Sequence, residues 1–203
     1  MKNVVLTGIG GQGTVLAAKI LAQAAQARGW HVRTAETIGM AQRGGSVTSH
    51  VRMGDAGEQV SSPLVGTGAA DMLIAFEPGE AARMLKLLSP QGALVSASSV
   101  KQPVTASLSK TVYTAAPVIQ ALQKRNASTI IVDEQPLLNK VGNAKALNIV
   151  LLTIAVAQRD DQGNPVLGIS FDELKDAVTS CVRPKFVEMN LSAIDTVRES
   201  LGL

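Results

Sequence analysis

The chain has 203 residues, of which 46% are apolar, 2% aromatic and 17% charged, with 19 Lys+Arg against 16 Asp+Glu. So apolar a composition excludes disorder, and a chain of this size forms a core without disulfides or a structural metal. The single cysteine, Cys181, rules out an intrachain disulfide and any iron–sulfur cluster held by this chain alone.

In chain order, residues 3–7 (NVVLT) predict a strand, 8–13 a glycine-rich turn, and 14–28 a helix stopped by Gly29. Residues 31–36 alternate as a second strand, and 37–45, with three glycines, read as a loop. The β-branched run 46–53, a turn at 54–57 and residues 58–61 predict a hairpin. Residues 71–76 (DMLIAF) read as a strand buried on both faces, followed by a helix over 78–88 with Pro78 at its first position. Further strands are predicted over 93–96, 111–114 and 129–132, with a helix over 117–124. A helix over 143–158 follows, then a turn at 160–165 (DDQGNP). Ser170 and Glu173 form a capping-box pattern for a helix to about residue 179, and Arg183-Pro184 separates it from a last helix to about residue 200.

Strands alternating with helices predict one domain over residues 1–203, an α/β fold with a Rossmann-like, doubly wound, mostly parallel sheet and helices on both faces. The longest apolar stretch, near 147–156, falls short of the roughly 18 residues of a membrane span. The start MKNVVLTGIGGQG lacks the unbroken apolar stretch of a secretion signal, so a cytoplasmic protein without membrane contact is expected. The basic excess is small and scattered, although the sequence pI is about 9.2. With 1 Trp, 1 Tyr and 3 Phe, the chain has little to stack on bases, and no nucleic-acid partner is expected.

Gly8-Ile9-Gly10-Gly11-Gln12-Gly13 fits GxGxxG, follows a strand and opens a helix. Gly8 would permit the sharp turn, Gly10 would let backbone approach a phosphate, and Gly13 would let the helix pack close to the strand. Unpaired N–H groups at the helix start would supply an anion site, unless the turn is purely structural. Glu36 ends the second strand where a dinucleotide-binding protein keeps the acid that reads a ribose hydroxyl, or else is simply solvated. In Gln42-Arg43-Gly44-Gly45-Ser46, Arg43 offers a planar fork for phosphate or carboxylate, with pairing to Glu36 or to a partner subunit as the competing role. His31 and His50 lack companions at ligand or triad spacing, and Cys181 reads as a core residue. No complete active site is legible, and this points to a subunit of something larger.

Gly8–Thr14 (GIGGQGT), the run from Glu36 to Ser46 (ETIGMAQRGGS), Ser62-Pro63-Leu64, Gly68-Ala69-Ala70-Asp71 and Ala75-Phe76-Glu77-Pro78 are together specific. With Gly142-Asn143, Asn148 and Val187-Glu188-Met189-Asn190-Leu191, they resemble the gamma-type subunit of 2-oxoacid:ferredoxin oxidoreductases, in particular its indolepyruvate branch. The resemblance implies oxidative decarboxylation of an aryl 2-oxoacid, with coenzyme A as acyl acceptor and ferredoxin as electron acceptor. It also implies that thiamine diphosphate and the iron–sulfur clusters belong to a larger partner subunit, so that this chain alone holds no cofactor, contains no metal site and is inactive. Gly10, Gly11, Gln12, Gly13 and Arg43 become candidate contacts to coenzyme A, with Gly8, Glu36, Gly44, Gly45 and Ser46 on the same edge. Two other readings stay open: a self-contained NAD-binding oxidoreductase, and a non-catalytic interaction module. A homodimer of the isolated chain is open as well.

Overall fold

The first strand, β1 (Lys2–Ile9), carries Val4, Val5 and Leu6 fully buried. Successive residues therefore face two different apolar layers. The computed structural model describes residues 1–39, 44–55, 57–102, 112–125 and 128–203. After β1 come α1 (Thr14–Ala27), β2 (His31–Ile38), β3 (Ser46–Gly54), β4 (Ala70–Ala75), α2 (Pro78–Met84) and β5 (Leu88–Ala97). Then follow α3 (Ala115–Arg125), β6 (Thr129–Val132), α4 (Glu134–Val141), α5 (Leu147–Ala157), α6 (Phe171–Cys181) and α7 (Pro184–Ser200).

The six strands form one sheet in the order β2-β3-β1-β4-β5-β6. β1, β4, β5 and β6 pair in parallel. β3 runs antiparallel to both β1 and β2. On one face Leu6, Met72 and Ile74 pack with Ile20 and Leu21 of α1, Ile149 and Leu151 of α5 and Ile194 of α7. On the other, Val5, Leu73 and Leu94 pack with Ala81 of α2, Leu87 and Leu122 of α3. The expected α/β sheet with helices on both faces is present. Each fully buried Leu or Ile contributes about 1.5–3 kcal/mol relative to exposure. α5, buried at every position from Asn148 to Val156, is therefore the principal helical anchor.

Several elements depart from the expectations. Residues 58–61 form no strand, and β3 pairs with β1 and β2 instead. A strand has two hydrogen-bonding edges, and both edges of β3 are occupied. The helix at Pro78 ends at Met84, where a 3-10 turn (Leu85–Leu87) leads into β5. β5 starts earlier than expected because the Ser89–Gly92 stretch, which looks like a loop, joins the sheet with a register shift opposite Ala70–Met72. The long helix begins with a 3-10 turn (Ala144–Ala146) before α5. α4 was not expected: its eight residues are too few for a clear period, and Pro136 lies in the first turn, where its missing N–H does no harm. Of the strand expected over 111–114, residue 111 lies outside the described residues and 112–114 form no strand. The capping box is present: Ser170 Oγ accepts from Glu173 N at 3.2 Å and Ser170 N donates to Glu173 Oε2 at 2.7 Å.

Candidate functional site

At the C-terminal end of β1 the chain passes under Phe76 and turns into α1. A Cβ on Gly8 would lie 2.8 Å from Phe76 Cβ and 3.0 Å from Thr14 Oγ1. Gly8 therefore provides room inside the strand rather than the turn itself. The turn falls at Gly11 and Gly13, whose φ values of 96° and 85° suit glycine. A Cβ on Gly13 would meet the Asn148 side chain at 3.0 Å, so this glycine admits α5 rather than the strand.

Gln12 holds the loop in shape. Its Oε1 accepts from Ile9 N at 2.7 Å and its Nε2 donates to Phe76 O at 2.8 Å. Both ends of the carboxamide have partners within the fold, so the side chain acts as a brace. Gly10 N donates to Gly45 O at 2.9 Å and ties the first glycine loop to the second.

Beyond these loops lies an open cavity of about 580 Å³. Gly10, Gly11, Gly13 and Gly44 line one side. Lys101, Gln102, Lys145 and Asn148 line the other. Two helix starts meet there. α1 has no side-chain cap and no acid in its first turn. The 3-10 turn leading into α5 also lacks an acid, and Asn143 Oδ1 accepts from Lys145 N at 2.8 Å. Helix starts present N–H groups and partial positive charge, and two ammonium groups add full charges. No carboxylate lines the cavity among the described residues. Chemically, it is suited to an anion.

The neighbouring helix start at α2 differs. Glu77 caps it, accepting from Glu80 N at 2.9 Å, and Glu80 accepts from Ser46 Oγ at 2.5 Å while Arg83 lies 3.3 Å away. Both acids are buried. Burial and the adjacent Glu77 carboxylate push the Tyr113 phenol up to about 12. The chain's own acids fill this helix start, and the Ser46 hydroxyl is engaged with them rather than with the cavity.

Of the residues singled out in the sequence, Gly10, Gly11, Gln12, Gly13 and Gly44 come together at the cavity, with Gly8 and Gly45 supporting it from behind. Arg43 and Gln42 lie outside the described residues. Glu36 does not join them. It lines a separate hollow with Val15 and Lys19, and β3 lies between its strand and β1. Two strand spacings of about 4.8 Å keep the acid away from the glycine turn, so the pairing that an NAD site needs is absent.

Both histidines support the fold. His31 Nδ1 accepts from Val60 N at 2.8 Å and His50 Nδ1 from Val65 N at 3.2 Å. Burial lowers the His50 pKa. Cys181, expected in the core, is half-buried at its margin, and burial raises its thiol pKa. Nothing in the sequence singles out Lys101 and Lys145, because isolated lysines carry no motif. Asn148 had a signal, a polar residue in an otherwise apolar run.

Fold and cavity together define an α/β protein whose cavity lies at the carboxyl ends of parallel strands, the edge where such folds hold their ligands. The profile of the family described as "Pyruvate ferredoxin/flavodoxin oxidoreductase" matches residues 3–200, and the chain belongs to this family. It is 35% identical to the indolepyruvate oxidoreductase subunit IorB of Archaeoglobus fulgidus over 95% of this chain and 91% of that one. Among solved structures, the gamma subunit of a keto/oxoacid ferredoxin oxidoreductase from Geobacter sulfurreducens superposes with a TM-score of 0.67 at 23% identity, covering 100% of both chains. A 2-oxoglutarate:ferredoxin oxidoreductase from Magnetococcus marinus, solved with 2-oxoglutarate, coenzyme A and succinyl-CoA, superposes with a TM-score of 0.69 at 16% identity. That match covers 100% of this chain and 31% of the larger one. Among the described residues no helix is long and apolar enough to cross a membrane.

Proposed function

We propose that the chain is the smaller subunit of an indolepyruvate-type 2-oxoacid:ferredoxin oxidoreductase, and that its cavity takes the phosphates of coenzyme A. In this reading a larger partner subunit carries thiamine diphosphate and the iron–sulfur clusters. The enzyme decarboxylates an aryl 2-oxoacid oxidatively, forms its acyl-CoA and reduces ferredoxin. The observation that carries the ligand assignment is the convergence of two helix starts with Lys101 and Lys145 on one cavity free of lining carboxylates among the described residues. Identity to indolepyruvate subunits over nearly the whole chain supports the enzyme class. The coenzyme A bound in the 2-oxoglutarate enzyme supports the ligand class.

Coenzyme A supplies the thiol that accepts the acyl group. The residues of this chain bind and orient its phosphates: the glycine backbone lets them come close, and the two lysines neutralise their charge. Arg43, which precedes the cavity-lining Gly44 in the sequence, is a third candidate cation. Gln12 and Gly45 keep the loop in register, and Glu36 has no part in the site. With one cysteine, the chain leaves cluster ligation to its partner.

The test is calorimetric titration of coenzyme A into the complex assembled with the larger subunit, comparing wild type, Arg43→Ala and Lys145→Ala. Each variant should bind about tenfold more weakly. Unchanged affinity in both would overturn the ligand assignment, and full viologen reduction by the larger subunit alone would overturn a required role for this chain.

A further inference from the structure

Glu134 is the first residue of α4 and only 3% exposed. An acid in the first turn of a helix usually faces water. This one is turned inward, onto the chain leaving the C-terminal end of β5. Its Oε2 accepts from Ser98 N at 3.0 Å and from Ser98 Oγ at 3.2 Å, and its Oε1 accepts from Ser99 N at 3.2 Å. Ser98 N is also within 2.9 Å of Val132 O, at the end of β6. Burial by itself would raise the acid, but hydrogen bonds from Ser99 and Ser98 outweigh it and hold Glu134 below its ordinary value. These three hydrogen bonds fix the carboxylate inside the protein.

Lys101 and Gln102 follow directly and line the cavity. An extended chain advances at most about 3.6 Å per residue, so anchoring Ser99 confines the Lys101 backbone to within about 7 Å of that anchor. The far side of the pair is held as well: Gln102 Nε2 donates to Tyr113 O at 2.5 Å, and Gln102 Oε1 accepts from Tyr113 N at 3.3 Å. Lys101 thus sits on a short span clamped at both ends, with the buried carboxylate as one clamp.

We infer that Glu134 is a positioning residue that holds the Ser98–Ser99 turn so that Lys101 meets the anionic ligand in the cavity. The inference rests on the reading that the cavity binds coenzyme A.

The experiment uses the assembled enzyme and measures KM for coenzyme A, kcat at saturating coenzyme A and thermal unfolding for Glu134→Gln, Lys101→Ala, the double variant and Lys145→Ala. Glu134→Gln and Lys101→Ala should each raise KM about tenfold, with kcat held within about twofold. The double variant should be no worse than Lys101→Ala, because the carboxylate acts through the lysine. If Glu134→Gln raises KM by the same factor with and without Lys101, the inference fails. It fails too if Glu134→Gln leaves KM unchanged while Lys145→Ala raises it, and in that case the cavity assignment stands. Unchanged KM in both Lys101→Ala and Lys145→Ala would remove the assignment and the inference together. Should Glu134→Gln not fold, Ser98→Ala removes one hydrogen bond to the carboxylate and should raise KM about threefold; no rise would overturn the inference.

Discussion

The parallel half of the sheet and its antiparallel flank use similar residues to different ends. Where β1 and β4 end, the chain leaves the sheet and a helix begins within a few residues, so helix N-termini gather at the strand ends. In the β2–β3 flank β3 is paired on both edges from Val47 to Met53, and among the described residues no helix begins between the two strands. Its polar side chains fasten backbone instead, as His31 and His50 do for Val60 and Val65. The same contrast separates the helix starts. Those at α2 and α6 are filled by Glu77, Glu80 and Glu173 of this chain, whereas those at α1 and before α5 have no acid and face the cavity. Where the chain supplies no acid of its own, a helix start keeps its partial positive charge for another anion.

The largest expected effect breaks the parallel half directly. Gly13→Ala forces a side chain into φ 85° and against Asn148 at 3.0 Å, and should cost about 3 kcal/mol in urea unfolding, together with coenzyme A binding. Lys145→Ala in the assembled enzyme should cost about 1.4 kcal/mol of coenzyme A binding and flatten its salt dependence, with unfolding unchanged. Ser170→Ala, at a helix start closed by its own chain, should lower stability by about 1 kcal/mol without altering ligand affinity.

The flank responds to pH. Burial holds His50 below its ordinary value of 6.5, so the unfolded chain takes up the proton first as pH falls. Its contribution to stability is complete above that value and is lost as pH drops through the folded pKa. Urea midpoints at pH 8 and pH 5 should differ more for wild type than for His50→Gln, and equal differences would exclude the histidine. The smallest effect belongs to Glu36→Ala: coenzyme A affinity should hold within about twofold and stability within about 0.5 kcal/mol. A larger loss of affinity would return the acid to the site and erase the distinction between the two regions.

Much of the parallel half is legible because its signals are local. A glycine run between an apolar strand and an alanine-rich helix, a Ser170–Glu173 cap and a break at Pro184 each act within one or two turns of chain. The flank misleads for the opposite reason. Residues 31–36 read as a second strand, and nothing nearby reveals that 46–53 will pair between it and β1. Spacing from the glycine turn alone therefore leaves Glu36 either reading a ribose or simply solvated. Lys101 and Glu134 were illegible because their roles depend on β5, β6 and the α5 start ending on one edge.

By itself the sequence determined the class of fold, the place of the first glycine turn between β1 and α1, and the exclusion of any cluster ligated by this chain alone. These follow from short-range backbone chemistry and from the count of cysteines. Tertiary structure decided the strand order, the separation of Glu36 from the glycine turn, and the gathering of Lys101, Lys145 and Asn148 around the cavity. Strand pairing and burial join residues far apart in the chain, and no local pattern encodes which distant edge a strand will find.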